Sequence, residues 1–333
     1  MSTDVTEPVA PPGTTGRPAP APETPRERRR ALLSRADLKV SPYLYVAPFF
    51  LLFAVFGLYP LVYTAWVSLH DWPLASDEHP FTGLDNYQRL LTDQVFWNSL
   101  YNTAGIFLLS TIPQLLVALF LANLLNRRLR GRTLFRLSII LPMATSVAAV
   151  SIVFSQLYSR DFGIINWLLG GVGVGPIEWQ ASKWSSWTAV ATMVNWRWTG
   201  YNALIYLAAM QSIPKDLYEA AALDGASPWK QFTRVTVPLL RPTILFTVII
   251  STIGGFQLFT EPLLFNSGSS NYQGGSLRQS QTVAMYVWEN AFTKFDFGYA
   301  SAIAWVLFLI ILVFAALNYL AVRRLGGRDS IPD

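Results

Sequence analysis

Six long apolar stretches constrain this chain more than any other feature, because each can cross about 30 Å of hydrocarbon as a helix. They cover residues 44–69, 101–125, 137–159, 184–210, 242–261 and 298–322. Five carry no charge except a terminal Glu261, and the fourth carries Arg197. Pro48, Pro60, Pro113 and Pro142 fall inside stretches. A transmembrane helix tolerates proline because neighbouring helices, hydroxyl side chains and waters satisfy the freed carbonyls. The bland alternative is a set of core helices in a large soluble protein. Only 14% of the residues are charged, whereas a soluble domain carries about a quarter. The 12 Trp, 14 Tyr and 21 Phe also suit aromatic belts at two membrane surfaces. The expected fold is all-α, with six transmembrane helices.

Lys and Arg set the orientation of such a chain. Seven precede residue 42, and the loop after the second stretch adds Arg127, Arg128, Arg130, Arg132 and Arg136. The loop after the fourth adds Lys215, Lys230, Arg234 and Arg241, and the C-terminal end adds Arg323, Arg324 and Arg328. The alternate loops hold only Arg89, Arg160, Lys183, Arg278 and Lys294. This asymmetry places both termini in the cytoplasm of a multi-pass plasma-membrane protein. It also accounts for the net charge of +5 without nucleic acid, since the basic residues mark the inner face and its anionic lipid.

Residues 1–42 are rich in Pro, Ala, Thr and charge and cannot bury enough apolar surface to order themselves. They read as a disordered cytoplasmic tail. They do not read as a signal peptide, because the following apolar run is too long and lacks a small-residue cleavage site. The first membrane helix is then expected over 43–70, a core of five more over 98–322, and a short cytoplasmic tail over 323–333. The outward loops, rich in Trp, Asn, Gln and Gly, are either docking surfaces or solvated connectors. The absence of Cys excludes thiol chemistry and Cys-based metal sites. His70 and His79 share one polar loop without an acidic cluster, so no metal and no cofactor is expected.

The cytoplasmic loop over 212–242 reads SIPKDLYEAAALDGASPWKQFTRVTVPLLRP. Pro214 suits a helix start, where a missing N–H costs nothing. The run after it consists of helix formers, and Gly225 allows the left-handed turn that ends a helix. Ser227 is a natural N-cap with Pro228 at the first helical position. Trp229, Phe232 and Val235 then follow at helical spacing. The expectation is two short helices joined at a tight turn, with an apolar face and Glu219 exposed nearby. Such an elbow could seat in a groove of a cytoplasmic partner, or be an amphipathic linker.

This loop resembles the EAA loop of binding-protein-dependent ABC importers. That family shows Glu-Ala-Ala, three residues, Gly, nine residues, then Ile, any residue, Leu-Pro. Here Glu219, Ala220, Ala221 and Gly225 are followed by Val235, Thr236, Val237 and Pro238 at the same spacing. Val replaces Ile and Leu, which keeps the apolar character. The run IPKDLYEAAALDGA, with FTGLDNYQRLLTDQVFWNSLYNT and FQLFTEPLLF, resembles the carbohydrate permeases related to the maltose and glycerol-phosphate importers. WRWTGYNALIYLAAMQSIP and RPTILFTVIISTIG are most similar to actinobacterial permeases for cellobiose-type oligosaccharides.

The resemblance spans about residues 42–324 and implies a type I ABC importer permease that moves a disaccharide or short oligosaccharide. It implies that Glu219, Ala220, Ala221, Asp224, Gly225 and Pro238 belong to the ATPase-coupling elbow, with Glu219 paired to a basic residue of the ATPase. Expected partners are a second permease subunit, a dimeric cytoplasmic ATPase and an extracellular sugar-binding lipoprotein. The chain contains no Gly-Lys pair and so no P-loop lysine for nucleotide phosphates. Hydrolysis is therefore expected on another polypeptide, and no catalytic residue is expected here.

Polar residues inside membrane helices are costly and face a cavity or a partner helix. Asn195, Trp198 and Asn202 form one helical stripe beside Tyr201, and Gln257 and Glu261 stand four apart in the fifth stretch. Aromatic faces and amide or carboxylate groups are what a sugar needs, so these six are candidates for the substrate path. They could equally bind helix to helix, and Arg197 could pair with Glu261 or with helix-end carbonyls. A secondary sugar carrier is the main alternative. It would show inverted repeats and coupling carboxylates, and the sequence shows no clear repeat and only Glu261 near a span interior. A membrane enzyme would need a clustered nucleophile, His or metal set, which is lacking.

Overall fold

A computed structural model of the chain describes residues 41–73, 77–127, 130–266 and 271–325, with backbone alone at 271 and 321–325. Residues 1–40 of the expected tail, Arg128, and the C-terminal end beyond 325 lie outside the described residues, as do the side chains of Arg323 and Arg324. Among the described residues the protein is helical, with two isolated bridges, His70 to Phe81 and Pro73 to Asp296, and no strand.

Three helices are long and apolar enough to cross a membrane: α1 (Ser41–Val67), α3 (Gln94–Asn126) and α13, apolar over Phe297–Leu320. Between α1 and α3 lies the short helix α2 (Asp85–Thr92). Two further crossings are possible only as bent pairs. The first joins α4 (Arg132–Ala144) to α5 (Val147–Leu157) at 93°. The second joins α9 (Pro228–Leu239) to α10 (Arg241–Phe256) at 67°. The expected stretch 184–210 lies in α7 (Lys183–Gln211), whose 29 residues reach about 44 Å. α7 is less apolar than the three, because it carries Asn195, Arg197, Asn202 and several hydroxyls. Of the remaining elements, α6 (Ile164–Gly171) lies between α5 and α7, and α8 (Lys215–Leu223) between α7 and α9. Two more short helices, α11 (Thr260–Phe265) and α12 (Val283–Trp288), precede α13.

Two expected straight helices are therefore broken. Over 137–159 the chain turns at the extended Thr145 and at Ser146, just after Pro142 in the last turn of α4. Over 242–261 the helix stops at Phe256, and a new one starts at Thr260. Gln257 and Glu261 are thus not on one helical face, although they stand four apart.

The chain divides into two compact units between Leu61 and Val62. In the first, the described residues are the helical turns 41–61, with apolar side chains such as Tyr43, Phe49 and Phe56 exposed. One turn, Ala54–Leu58, is π-helical: the Tyr59 N–H reaches the Ala54 carbonyl, five residues back. Pro60 follows immediately. Proline lacks the N–H that would continue the ladder and crowds the carbonyl before it, and a widened turn relieves both. The same device occurs in α9, where Val237 N–H reaches the Phe232 carbonyl just before Pro238.

In the second unit α3 and α7 form the central pair, packed along most of their length. Ser182 caps the N-terminus of α7, and Asp93 caps that of α3 by accepting from Val95 and Phe96 N–H. The helix α4 crosses α7 at Gly200. A β-carbon there would collide with the Ile139 carbonyl, so only glycine lets the two backbones approach this closely. On the other side, α10 and α13 pack against each other, and α10 packs on α3. The core has three clusters. Trp187, Met193 and Phe265 anchor one; Phe96, Phe256 and Tyr299 a second; Tyr206, Met210 and Leu240 a third.

Candidate functional site

The second unit holds a cavity of about 330 Å³ between α3, α7, α10 and the break before α11. That is the lower end of the ~300–1,000 Å³ range of small-ligand sites. α7 contributes Trp198, Tyr201 and Asn202, and the Trp198 and Tyr201 rings meet edge to face, centroids 6.0 Å apart. The broken helix contributes Gln257 and Glu261. Ending α10 at Phe256 turns Gln257 and Glu261 to the same space by a route that helical spacing does not describe. Hydrogen bonds hold the break: Thr282 Oγ1 donates to the Leu258 carbonyl at 2.7 Å, and Asn266 Nδ2 donates to Ser280 Oγ at 2.8 Å.

Five of the six candidate path residues therefore line one cavity. The sixth does not. Asn195 shares the stripe with Trp198 and Asn202 but sits at its edge, lining an adjoining groove with Gln114, Pro142, Thr192 and Gly200. Its Oδ1 is buried without a partner.

α3 adds Ser110, Thr111 and Gln114 to the cavity. These three interrupt the otherwise apolar run 104–122, and intramembrane polarity is the signal that could have singled them out. Gln114 and Asn202 are both 4% exposed. Neither they, nor Tyr201, nor Gln257 makes a side-chain hydrogen bond to another described residue. Buried polar side chains nearly always have partners, so the two buried amides, with none among the described residues, leave room for a polar ligand beside the half-buried Tyr201 and the exposed Gln257.

The charged residue of the wall, Glu261, is committed to Arg197. Arg197 Nη1 donates to Glu261 Oε1 at 2.8 Å, with side chains 11% and 9% exposed. The Arg197 guanidinium also lies 5.9 Å from the Trp198 ring centre. Of the two expectations for Arg197, the Glu261 pairing is the one found.

A second polar cluster surrounds the start of α3 and differs in kind. Arg278 grips Glu289 with two nitrogens at 2.6 and 2.8 Å, and Gln281 Nε2 donates to the same carboxylate at 2.7 Å. Lys294 Nζ lies 3.4 Å away. Burial pushes the Glu289 carboxyl up, but the Arg278 and Gln281 hydrogen bonds outweigh it and hold the group below the usual range. Asp93 accepts from the Tyr286 and Tyr299 hydroxyls, both at 2.5 Å. Burial again acts upward, and these two hydrogen bonds with those from the Val95 and Phe96 amides bring the net shift down. Arg278 itself has φ +54°, and its carbonyl accepts from Asn98 and Asn102 of α3.

The loop over 212–242 forms α8 and α9. Asp224 is the C-cap of α8, and Gly225 follows at φ +74°. Ala226 N–H bonds the Ala221 carbonyl and Gly225 N–H the Ala222 carbonyl, the paired bonds of a Schellman turn. Ser227 caps α9 by accepting from Lys230 N–H. Tyr218 and Thr236 hydroxyls meet at 3.0 Å and brace the two helices. Glu219, Ala220, Asp224 and Gly225 are exposed, Ala221 and Pro238 half-buried. Leu223 and Trp229 are also exposed, at 89% and 65%.

His70 and His79 each meet a tryptophan: the His70 ring lies 4.1 Å from Trp66, and His79 stacks on Trp72 at 3.7 Å. No group of three His, Cys, Asp or Glu with metal-binding geometry occurs among the described residues.

Residues 114–327 match the model of the family described as binding-protein-dependent transport system inner membrane component. The chain belongs to this family, and it is a multi-pass protein of the plasma membrane. Several of its relatives are permease proteins of sugar transport systems. It is 38% identical over 302 residues to the lactose transport system permease protein LacF of Rhizobium radiobacter, covering 88% of this chain and 99% of that one. It is 36% identical to the arabinooligosaccharides transport system permease protein AraP of Halalkalibacterium halodurans, covering 83% and 85%. A solved structure of a bacterial alginate ABC transporter, in complex with an alginate pentasaccharide-bound periplasmic protein, shares the fold. Its TM-score is 0.74 at 20% identity, over 88% of this chain and 96% of that one.

Proposed function

We propose that this chain is one permease subunit of an ATP-driven importer that moves a neutral or near-neutral oligosaccharide, of cellobiose-type size, through the cavity between α3, α7 and α10. The observation that carries this reading is the set of polar side chains, Gln114, Tyr201, Asn202 and Gln257, that line the cavity beside the Trp198 ring and make no side-chain hydrogen bond to another described residue. A sugar offers hydroxyls to the amides and a C–H face to the indole, and it would satisfy groups that the protein leaves open. A secondary carrier is not favoured, since the relatives are permease proteins of binding-protein-dependent systems.

In this reading the chain crosses the membrane six times with both termini in the cytoplasm, α7 and the two bent pairs supplying three crossings. The α8–α9 elbow then lies inside. It would dock on one subunit of a dimeric ATPase through Glu219 and the exposed apolar side chains around it. A second permease would close the cavity, and an external sugar-binding lipoprotein would deliver substrate. Closure of the ATPase dimer would push the braced elbow as a rigid body and tip the helices between two states.

The test is uptake of labelled cellobiose, lactose and maltose by cells or vesicles carrying the complex. Glu219→Lys should abolish uptake while the chain still inserts and assembles. Uptake at the wild-type rate in that variant would refute the docking.

A further inference from the structure

Among the described residues Glu261 is the only charged one that lines the cavity, and Arg197, which stands outside that lining, holds its carboxylate at 2.8 Å. The other polar lining groups are amides, hydroxyls and the phenol of Tyr201, all neutral. Arg197 Nε is buried with no partner, so the guanidinium keeps unused donor capacity behind its bond to Glu261.

We infer that the Arg197–Glu261 pair makes the cavity selective for uncharged sugars and sets the sign of that selectivity. The inference rests on the cavity being the substrate path. A sugar carboxylate entering this space would be stripped of water and would meet Glu261. Arg197 beside it is already paired with Glu261, and a buried charge without its own partner is costly. An ammonium sugar meets the mirror-image obstacle, because Glu261 is committed to Arg197. A neutral sugar meets neither. Removing one member of the pair therefore leaves the other to select the opposite charge. Glu261→Gln frees the guanidinium for a carboxylate, and Arg197→Gln frees the carboxylate for an amine.

The experiment is calorimetric binding to the purified membrane complex without its external binding protein, so that upstream selection does not intervene. The probes are cellobiose, cellobiose oxidised to the uronate at C6 of its non-reducing ring, and the corresponding disaccharide of glucosamine. Lactose and maltose with their uronates serve as further pairs. Wild type should prefer each neutral sugar over its uronate by about tenfold or more, the scale of one charge-assisted hydrogen bond. Glu261→Gln should narrow or reverse that ratio by about tenfold. Arg197→Gln should keep the uronate excluded and gain on the glucosamine disaccharide, so the prediction survives if one variant fails to assemble. Wild-type charge preference in every variant that assembles would overturn the inference alone. If instead Asn202→Ala binds the neutral sugars as wild type does, or wild type binds none of them, the cavity reading itself falls.

Discussion

Two polar regions lie in the same unit, each partly buried, and they solve opposite problems. Around the start of α3, Glu289 has three partners and Asp93 has four. Around the cavity, Gln114, Tyr201, Asn202 and Gln257 have none among the described residues. Polarity inside a membrane protein is thus not one signal. A fully paired cluster fixes the fold, because each member lost strands another. A partnerless set contributes little to stability and leaves room for something polar to arrive.

The comparison breaks if the paired cluster proves dispensable. Glu289→Ala leaves the Arg278 guanidinium without its two strongest bonds, and removing one partner of a buried ion pair costs about 3–5 kcal/mol. The expected result is a large fall in the melting temperature of the purified complex, or loss of assembly. Sugar affinity should be unchanged in whatever assembles. Unaltered melting would show that this region does not hold the fold.

Acidification tests the same region with a smaller effect. Asp93 and Glu289 both have carboxyls held below the usual range in the folded protein. A depressed folded pKa contributes stability that is complete above the ordinary carboxylate range of about 4. That stability is lost as pH falls through the lower folded value. Melting should therefore drop between about pH 5 and pH 3, and Asp93→Asn should flatten the drop. The same slope in Asp93→Asn and wild type would remove Asp93 from the account.

Asn195→Ala should have the smallest effect. Asn195 lines the groove beside Pro142 and Gly200, and its buried Oδ1 is unpaired. Truncation there should leave uptake kinetics near wild type, with melting unchanged or slightly raised. A large rise in KM would move Asn195 into the path and redraw the cavity.

Much of this was legible in the sequence. Apolar length exposed the three long apolar helices, and Gly225, Ser227 and Pro228 announced the elbow, because helix caps depend on the residues beside them. The stripe through Trp198 and Asn202 pointed at the cavity for the same local reason. The breaks were not legible. A membrane helix tolerates a proline such as Pro142, yet the chain bends by 93° just after it. The end of α10 at Phe256 depends on Thr282 and the segment around it, which binds the Leu258 carbonyl from a distance along the chain. The pairing of Asp93 with Tyr286 and Tyr299 joins residues about two hundred positions apart, and no local pattern encodes it. Ser110, Thr111 and Gln114 did carry a signal, as polar residues in an apolar helix, but only the packing of α3 on α7 and α10 shows where they face.

The most direct measurement takes the double variant Gln114→Ala with Asn202→Ala and determines its melting temperature and its KM for sugar uptake together. The account predicts melting within about a degree or two of wild type, because neither amide has a partner to lose. It predicts a KM raised about tenfold or more, because two ligand hydrogen bonds are gone. A lowered melting temperature with unchanged KM would contradict it, and would place these amides among the groups that build the fold.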